Sequence, residues 1–169
     1  MTAKRVDKLV KLSVFTALSV LGRVCFAFLP FFKPVSAMVV MAGFALGPWY
    51  GFACGAMSAL ISNFAFGQGM WTPFQMMAWG LIGLMAGLAA PALRKGKWTV
   101  IPCGIISGAA FSLVMDLFST LWMDGGFNLS RYAVLIATAA PVTFVYIVSD
   151  IIFLWLMWTK GCKMYDERQ

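Results

Sequence analysis

The sequence predicts an all-α polytopic membrane protein, a compact bundle of six transmembrane helices with both termini cytoplasmic. Three observations carry this expectation. Hydrophobic residues make up 62% of the 169-residue chain and charged residues only 11%, far from the averages of soluble domains. Apolar runs recur at lengths suited to a hydrocarbon core about 30 Å thick, which a helix of roughly 20 residues crosses. Basic residues gather at the two chain ends and in one internal loop, as they do on the cytoplasmic side of membrane proteins. No linker or low-complexity run divides the chain, so one domain over residues 1–169 is expected.

The first apolar segment, 9–29, contains Arg23 and is too long for a removable secretory signal. At 100° per residue, Thr16, Ser19 and Arg23 share one side of this helix, and Ser13 and Ala17 lie roughly 100° away. One helix therefore has two faces that avoid lipid. The Ser13-x-x-x-Ala17 pair reads either as ordinary small-residue packing inside the bundle or as a docking surface. The second segment, 35–46, reaches only about 18 Å at 1.5 Å per residue, so it is expected to tilt, start earlier or re-enter.

The third segment, 48–66, follows Gly47 and carries Gly51, Gly55 and Ala59 at four-residue steps up to Asn63. The fourth, 73–93, begins on Pro73, a residue suited to the first helical turn. The fifth, 100–122, repeats the small-residue spacing at Gly104, Gly108 and Ser112 up to Asp116. Such rows let helices approach closely, and each drifts about 40° per step into a spiral seam. The sixth, 132–159, carries Asp150 toward its cytoplasmic end, where a structural role is expected.

Six spans put both ends on one side. That side holds Lys4, Arg5, Lys8, Lys11, Arg94, Lys95, Lys97, Lys160, Lys163 and Arg168, ten of the thirteen basic residues. Topology and contact with anionic lipid account for the net charge of +7, and nucleic-acid binding is not expected.

Several chemistries are excluded. The chain has no His, which removes Ser-His and Cys-His catalysis and the commonest nitrogen metal ligand. Cys25, Cys54, Cys103 and Cys162 show no C-x-x-C spacing, so neither a zinc site nor a disulfide framework is indicated. Gly96-Lys97 is followed by Trp98 and lacks the earlier glycine of a phosphate-binding loop, so ATP-driven work requires another subunit.

The polar residues within the spans are few and costly, which makes them informative. Counted from the cytoplasmic ends, Arg23, Asn63 and Asp116 fall at similar depth in the outer half, and Gln75 and Trp79 reach that level from the outer loop. Arg23 and Asp116 can form an ion pair that orders the helices, and Asn63 can serve as interhelical glue. Their convergence beneath the stretch "FGQGMWTPFQMMAWG" (66–80) favours a ligand site. There Gly67 and Gly69 supply permissive backbone and Trp71 a flat apolar face, the parts of an outer lid or of a turn with an interfacial Trp. Gln68, Thr72 and Gln75 hydrogen-bond without the desolvation cost of a charge, which suits a neutral amide-rich or heterocyclic solute. The candidate substrate-binding residues are Arg23, Asn63, Gln68, Trp71, Gln75, Trp79 and Asp116, with no metal and no cofactor expected.

Six spans, the Ser13/Ala17 pair, "FALGPWYGFACGAMSALISN" and "GQGMWTPFQMMAWGLIGLMAG" together resemble the substrate-specific S component of energy-coupling factor transporters. The resemblance covers nearly the whole chain and is strongest over 44–87. It implies a non-enzymatic subunit that captures a vitamin outside bacterial cells and associates with a transmembrane coupling subunit and two cytoplasmic ATPases. It also implies that the subunit topples in the membrane and docks through the small pair of its first span. That pair is usually Ala-x-x-x-Ala, from which Ser13 departs. The stretch after Phe66 looks most like S components for cobalamin and related corrinoids, although riboflavin or a queuosine precursor would use the same kinds of group. Two other classes stay open: a small ion-coupled secondary transporter using Asp116 and Asp150, and a non-transporting membrane scaffold.

Overall fold

A computed structural model describes the backbone of residues 3–168 and the side chains of 5–167; the side chains of Lys4 and Arg168 lie outside the described residues. The chain folds into α1 (Ala3–Cys25), α2 (Val35–Leu46), α3 (Pro48–Phe66), α4 (Trp71–Leu88), α5 (Ala90–Leu93), a 3-10 turn (Lys97–Thr99), α6 (Val100–Asp124) and α7 (Leu129–Arg168), with no strand among the described residues.

All six expected segments are largely helical, but the bounds of the first, fourth and last differ most. The first helix ends at Cys25 instead of residue 29, because Pro30 of "FAFLPFFKP" lacks an N–H and crowds the carbonyl four residues back, at Phe26, and the chain turns away. Phe26 and Phe32 of that turn pack on Phe153 of α7, and Phe31 takes a left-handed φ of 64°. The fourth segment breaks at Ala89, since Pro91 lacks an N–H and crowds the carbonyl four residues back, leaving α5 as a single turn. The last helix runs 40 residues, about 60 Å, twice the thickness of a hydrocarbon core.

The short second segment has a simple explanation. Eleven of the 12 residues of α2 are buried, and α1, α3, α4 and α7 all pack around it. A helix that is apolar on every side belongs in a core. It starts at Val35, no earlier than its apolar run, and ends at Gly47, whose φ of 116° lets the chain reverse before Pro48 opens α3.

The glycine rows are packing seams. A methyl group added at Gly51 or Gly55 of α3 would overlap the α4 backbone at Gly83 or Trp79, and one at Gly43 of α2 would also strike Gly83. Gly104 and Gly108 of α6 lie in the same way against Ile151 and Ile147 of α7. Close backbone approach gains dispersion contacts that side chains of any size would prevent.

Two helices are long and apolar enough to cross a membrane, Lys97–Asp124 and Leu129–Glu167, with mean hydropathy 1.8 and 1.9. Only 33% and 17% of their most apolar windows are buried, so their apolar side chains point outward. An outward apolar surface of this extent is matched by lipid rather than water. Lys11 pairs with Glu167 at 3.3 Å and Arg94 with Asp166 at 2.9 Å, so the start of the chain, the loop after α5 and the end of α7 share one end of the bundle.

Candidate functional site

At the other end, the last turn of α1 meets the last turn of α3 and the first turns of α4. Arg23 lies there with 9% of its surface exposed. Its Nη1 donates to Ser62 Oγ and, at 2.8 Å, to Asn63 Oδ1. The guanidinium also lies 4.8 Å from the Phe66 ring centroid and 5.2 Å from that of Trp79. Neutral acceptors and ring faces thus replace part of the hydration that burial removes.

Asn63 is fully enclosed and uses its whole amide. Its oxygen accepts from Arg23, and its Nδ2 donates to Thr72 Oγ1 and Gln75 Oε1, both at 2.8 Å. Thr72 in turn donates to Gln68 Oε1 at 3.0 Å and accepts from the Gly69 N–H, and Gln68 Nε2 donates to the Leu60 carbonyl. The amides between α3 and α4 therefore wire the connecting loop to a buried cation. Gly67 turns this loop at φ 96°, and an added methyl at Gly69 would strike the Trp71 ring.

Above this network is a cavity of about 170 Å³ lined by Arg23, Lys33, Val35, Ser36, Gln75, Trp79, Phe111, Met115 and Tyr146. Trp79 stacks on Phe111, with centroids 4.7 Å apart, and donates from Nε1 to Ser36 Oγ at 3.3 Å. Phe111 meets Tyr146 edge-on at 5.3 Å. Lys33 enters from the loop after α1, its Nζ 5.3 Å from the Phe66 centroid, and Ser149 fixes that loop by donating to the Lys33 carbonyl at 3.0 Å. Burial, and then the neighbouring Arg23 charge, holds the Lys33 ammonium below the usual lysine pKa. A larger apolar recess of about 430 Å³ between α4 and α6 is lined by no charged side chain, so the smaller polar cavity is the better candidate site.

Three of the seven expected site residues, Arg23, Gln75 and Trp79, line this cavity. Asn63 lies behind Arg23, and Gln68 and Trp71 belong to the connecting loop, where Trp71 is 40% exposed. Asp116 is not among the lining residues, although it follows Met115 and lies close enough to act electrostatically on Tyr146, both of which are. The ion pair between Arg23 and Asp116 that similar depth allowed does not form, because Arg23 is turned toward α3. Among the described residues the Asp116 carboxylate makes no hydrogen bond or ion pair, and Asp150 is buried on the Ser107 hydroxyl at 2.7 Å.

A family model described as "ECF transporter, substrate-specific component" matches residues 7–162. The chain belongs to this family. Comparison with curated proteins and with solved structures gave no match. As a substrate-specific ECF component the chain is a transporter subunit integral to the cell membrane, and not an enzyme. Sequence reasoning about this ECF component does not single out Lys33, Ser36, Phe111 or Tyr146. The legible trace of Lys33 is its place in "FLPFFKP", a basic residue held between prolines on an aromatic turn.

Proposed function

We propose that this ECF component captures a vitamin-class solute from outside the cell in the cavity bounded by Arg23, Lys33, Gln75 and Trp79. It then delivers the solute inward together with a transmembrane coupling subunit and two cytoplasmic ATPases. The observation that carries the proposal is the cavity itself: two cations, an amide and three aromatic rings converge at the bundle end opposite the basic chain termini. On this reading six helices cross the bilayer, α5 being only a turn, and both termini are cytoplasmic. Ser13 and Ala17 are exposed on α1 beside the outward Val10, Val14, Leu18 and Leu21, which supports their use as the docking face.

The likeness of the 66–80 stretch to cobalamin-type components favours a corrinoid as the solute. Pockets for drug-sized ligands run to about 300–1,000 Å³, so a cavity of about 170 Å³ must widen for so large a molecule, by parting of the 26–34 and 67–70 loops.

The test is uptake of labelled solutes, cobalamin among them, by cells that express the chain with and without a coupling subunit and its ATPases. ATP-dependent uptake only with the partners is expected. Proton-driven uptake by the chain alone would make it a secondary transporter, and no uptake of any solute in either strain would favour a scaffold.

A further inference from the structure

Arg23 and Lys33 are both cationic, both line one cavity, and neither has an acidic partner. Among the described residues, ion pairs form between Lys11 and Asp7, Lys11 and Glu167, Arg94 and Asp166, and Arg131 and Asp124, all away from the cavity. The partners of Arg23 are a hydroxyl, an amide oxygen and two rings; that of Lys33 is the Phe66 ring. Phe66 is therefore flanked by two like charges, an arrangement that raises the cost of both. Of the hydrogen-bond donors on Arg23 only those on Nη1 are engaged within the protein, and the Lys33 ammonium has three. Of the cavity-lining residues none is acidic.

Two converging cations with no ion-pair partner recognise an anion. We propose that the solute presents an anionic group, a carboxylate or a phosphate, between the Arg23 guanidinium and the Lys33 ammonium, with an adjoining apolar part against Val35, Phe111 and Met115. This deepens the capture reading and rests on it. Charge-assisted hydrogen bonds are about twice as strong as neutral ones, and they gain further where water is excluded. Gln75, whose oxygen is held by Asn63, keeps its amide N–H groups for a second acceptor on the same ligand. An oppositely charged ligand also relieves the repulsion between the two cations.

The experiment compares wild-type full chain with Lys33→Gln, each purified natively, with the released molecules identified by negative-ion mass spectrometry. Lys33→Gln is chosen because the Lys33 ammonium makes no hydrogen bond or ion pair among the described residues and lies over the Phe66 ring, whereas Arg23 anchors the network and its loss risks the fold. Partition of the released material between water and chloroform separates a soluble acid from a phospholipid headgroup. As a defined probe, thermal unfolding is followed with nicotinate against its neutral counterpart nicotinamide.

A water-soluble acid or phosphate ester in the wild type, held about 10-fold or more weakly by Lys33→Gln, together with stabilisation by nicotinate in excess of nicotinamide, is the expected result. A neutral retained molecule, a phospholipid, or an acid held equally by Lys33→Gln would overturn the anion site; the first and last would leave solute capture standing. A wild type that retains nothing and responds to neither probe would remove capture at this cavity, and the anion site with it.

Discussion

Arg23 and Asn63, 40 residues apart in the chain, are joined by a 2.8 Å hydrogen bond from guanidinium to amide, and the other end of the same amide holds Thr72 and Gln75. One fully buried side chain thus sets the position of a cation on α1 and of two polar residues on α4. Asn63→Ala would leave a donor on Arg23 and the acceptors on Thr72 and Gln75 short of a partner. Each unsatisfied buried group costs about 1–3 kcal/mol. A clear fall in melting temperature in detergent is expected, and an unchanged melting curve would show that the network orders the site without stabilising the fold.

Because Arg23 faces Ser62 and Asn63, it has no direct coupling to Asp116. In a double-mutant cycle, Arg23→Gln and Asp116→Asn should add to within about 0.5 kcal/mol. Coupling well above that in a lipid nanodisc would bring the two groups into contact after all.

Gln75 lines the cavity, whereas Gln68 braces the loop on Leu60 and Thr72. Gln75→Ala should weaken retention of the solute about 5- to 150-fold, the worth of one hydrogen bond to a buried partner. Gln68→Ala should chiefly speed amide hydrogen exchange in residues 67–70. Equal losses of affinity in the two variants would place both glutamines on the ligand.

Gly83 lies where α2, α3 and α4 meet, and an added Cβ there would overlap the Gly51 backbone. Gly83→Val should cost at least about 1–3 kcal/mol and sharply lower the yield of monodisperse protein on size exclusion. At Gly96 nothing lies within 4 Å of an added Cβ, so Gly96→Ala should behave as wild type. Equal yields from the two variants would mean that the seam gives way readily.

Thr16, Ser19 and Arg23 of α1 are buried, while Ser13 and Ala17 are exposed. Ala17→Leu should therefore retain its solute yet fail to copurify with a coupling subunit and lose ATP-dependent uptake. Wild-type uptake would remove the docking face, and loss of folded protein would return Ala17 to the bundle interior.

Hydropathy alone determined the helical segments, and it located the bounds of α2 and α3 because Pro34, Gly47 and Pro48 coincide with the ends of apolar runs. It misplaced the end of α1, since residues 26–29 are as apolar in a turn as they would be in a helix. Pro30 stops the helix, and the packing of Phe26 and Phe32 on Phe153 holds the turn that follows. That Arg23 and Gln75 share one polar level was legible because polar groups in an apolar span are expensive and stand out, and the structure brings both, with Trp79, to one cavity. Lys33 and Tyr146 were not legible, for a loop lysine and a helix tyrosine are ordinary in composition. They line one cavity because the loop after α1 folds back on α7, where Ser149 and Lys33 meet 116 residues apart. Asp116 shows the same limit from the other side. A rise of 1.5 Å per residue gives depth from sequence, but each residue also turns 100°, and which neighbour that turn faces is decided by how the helices pack.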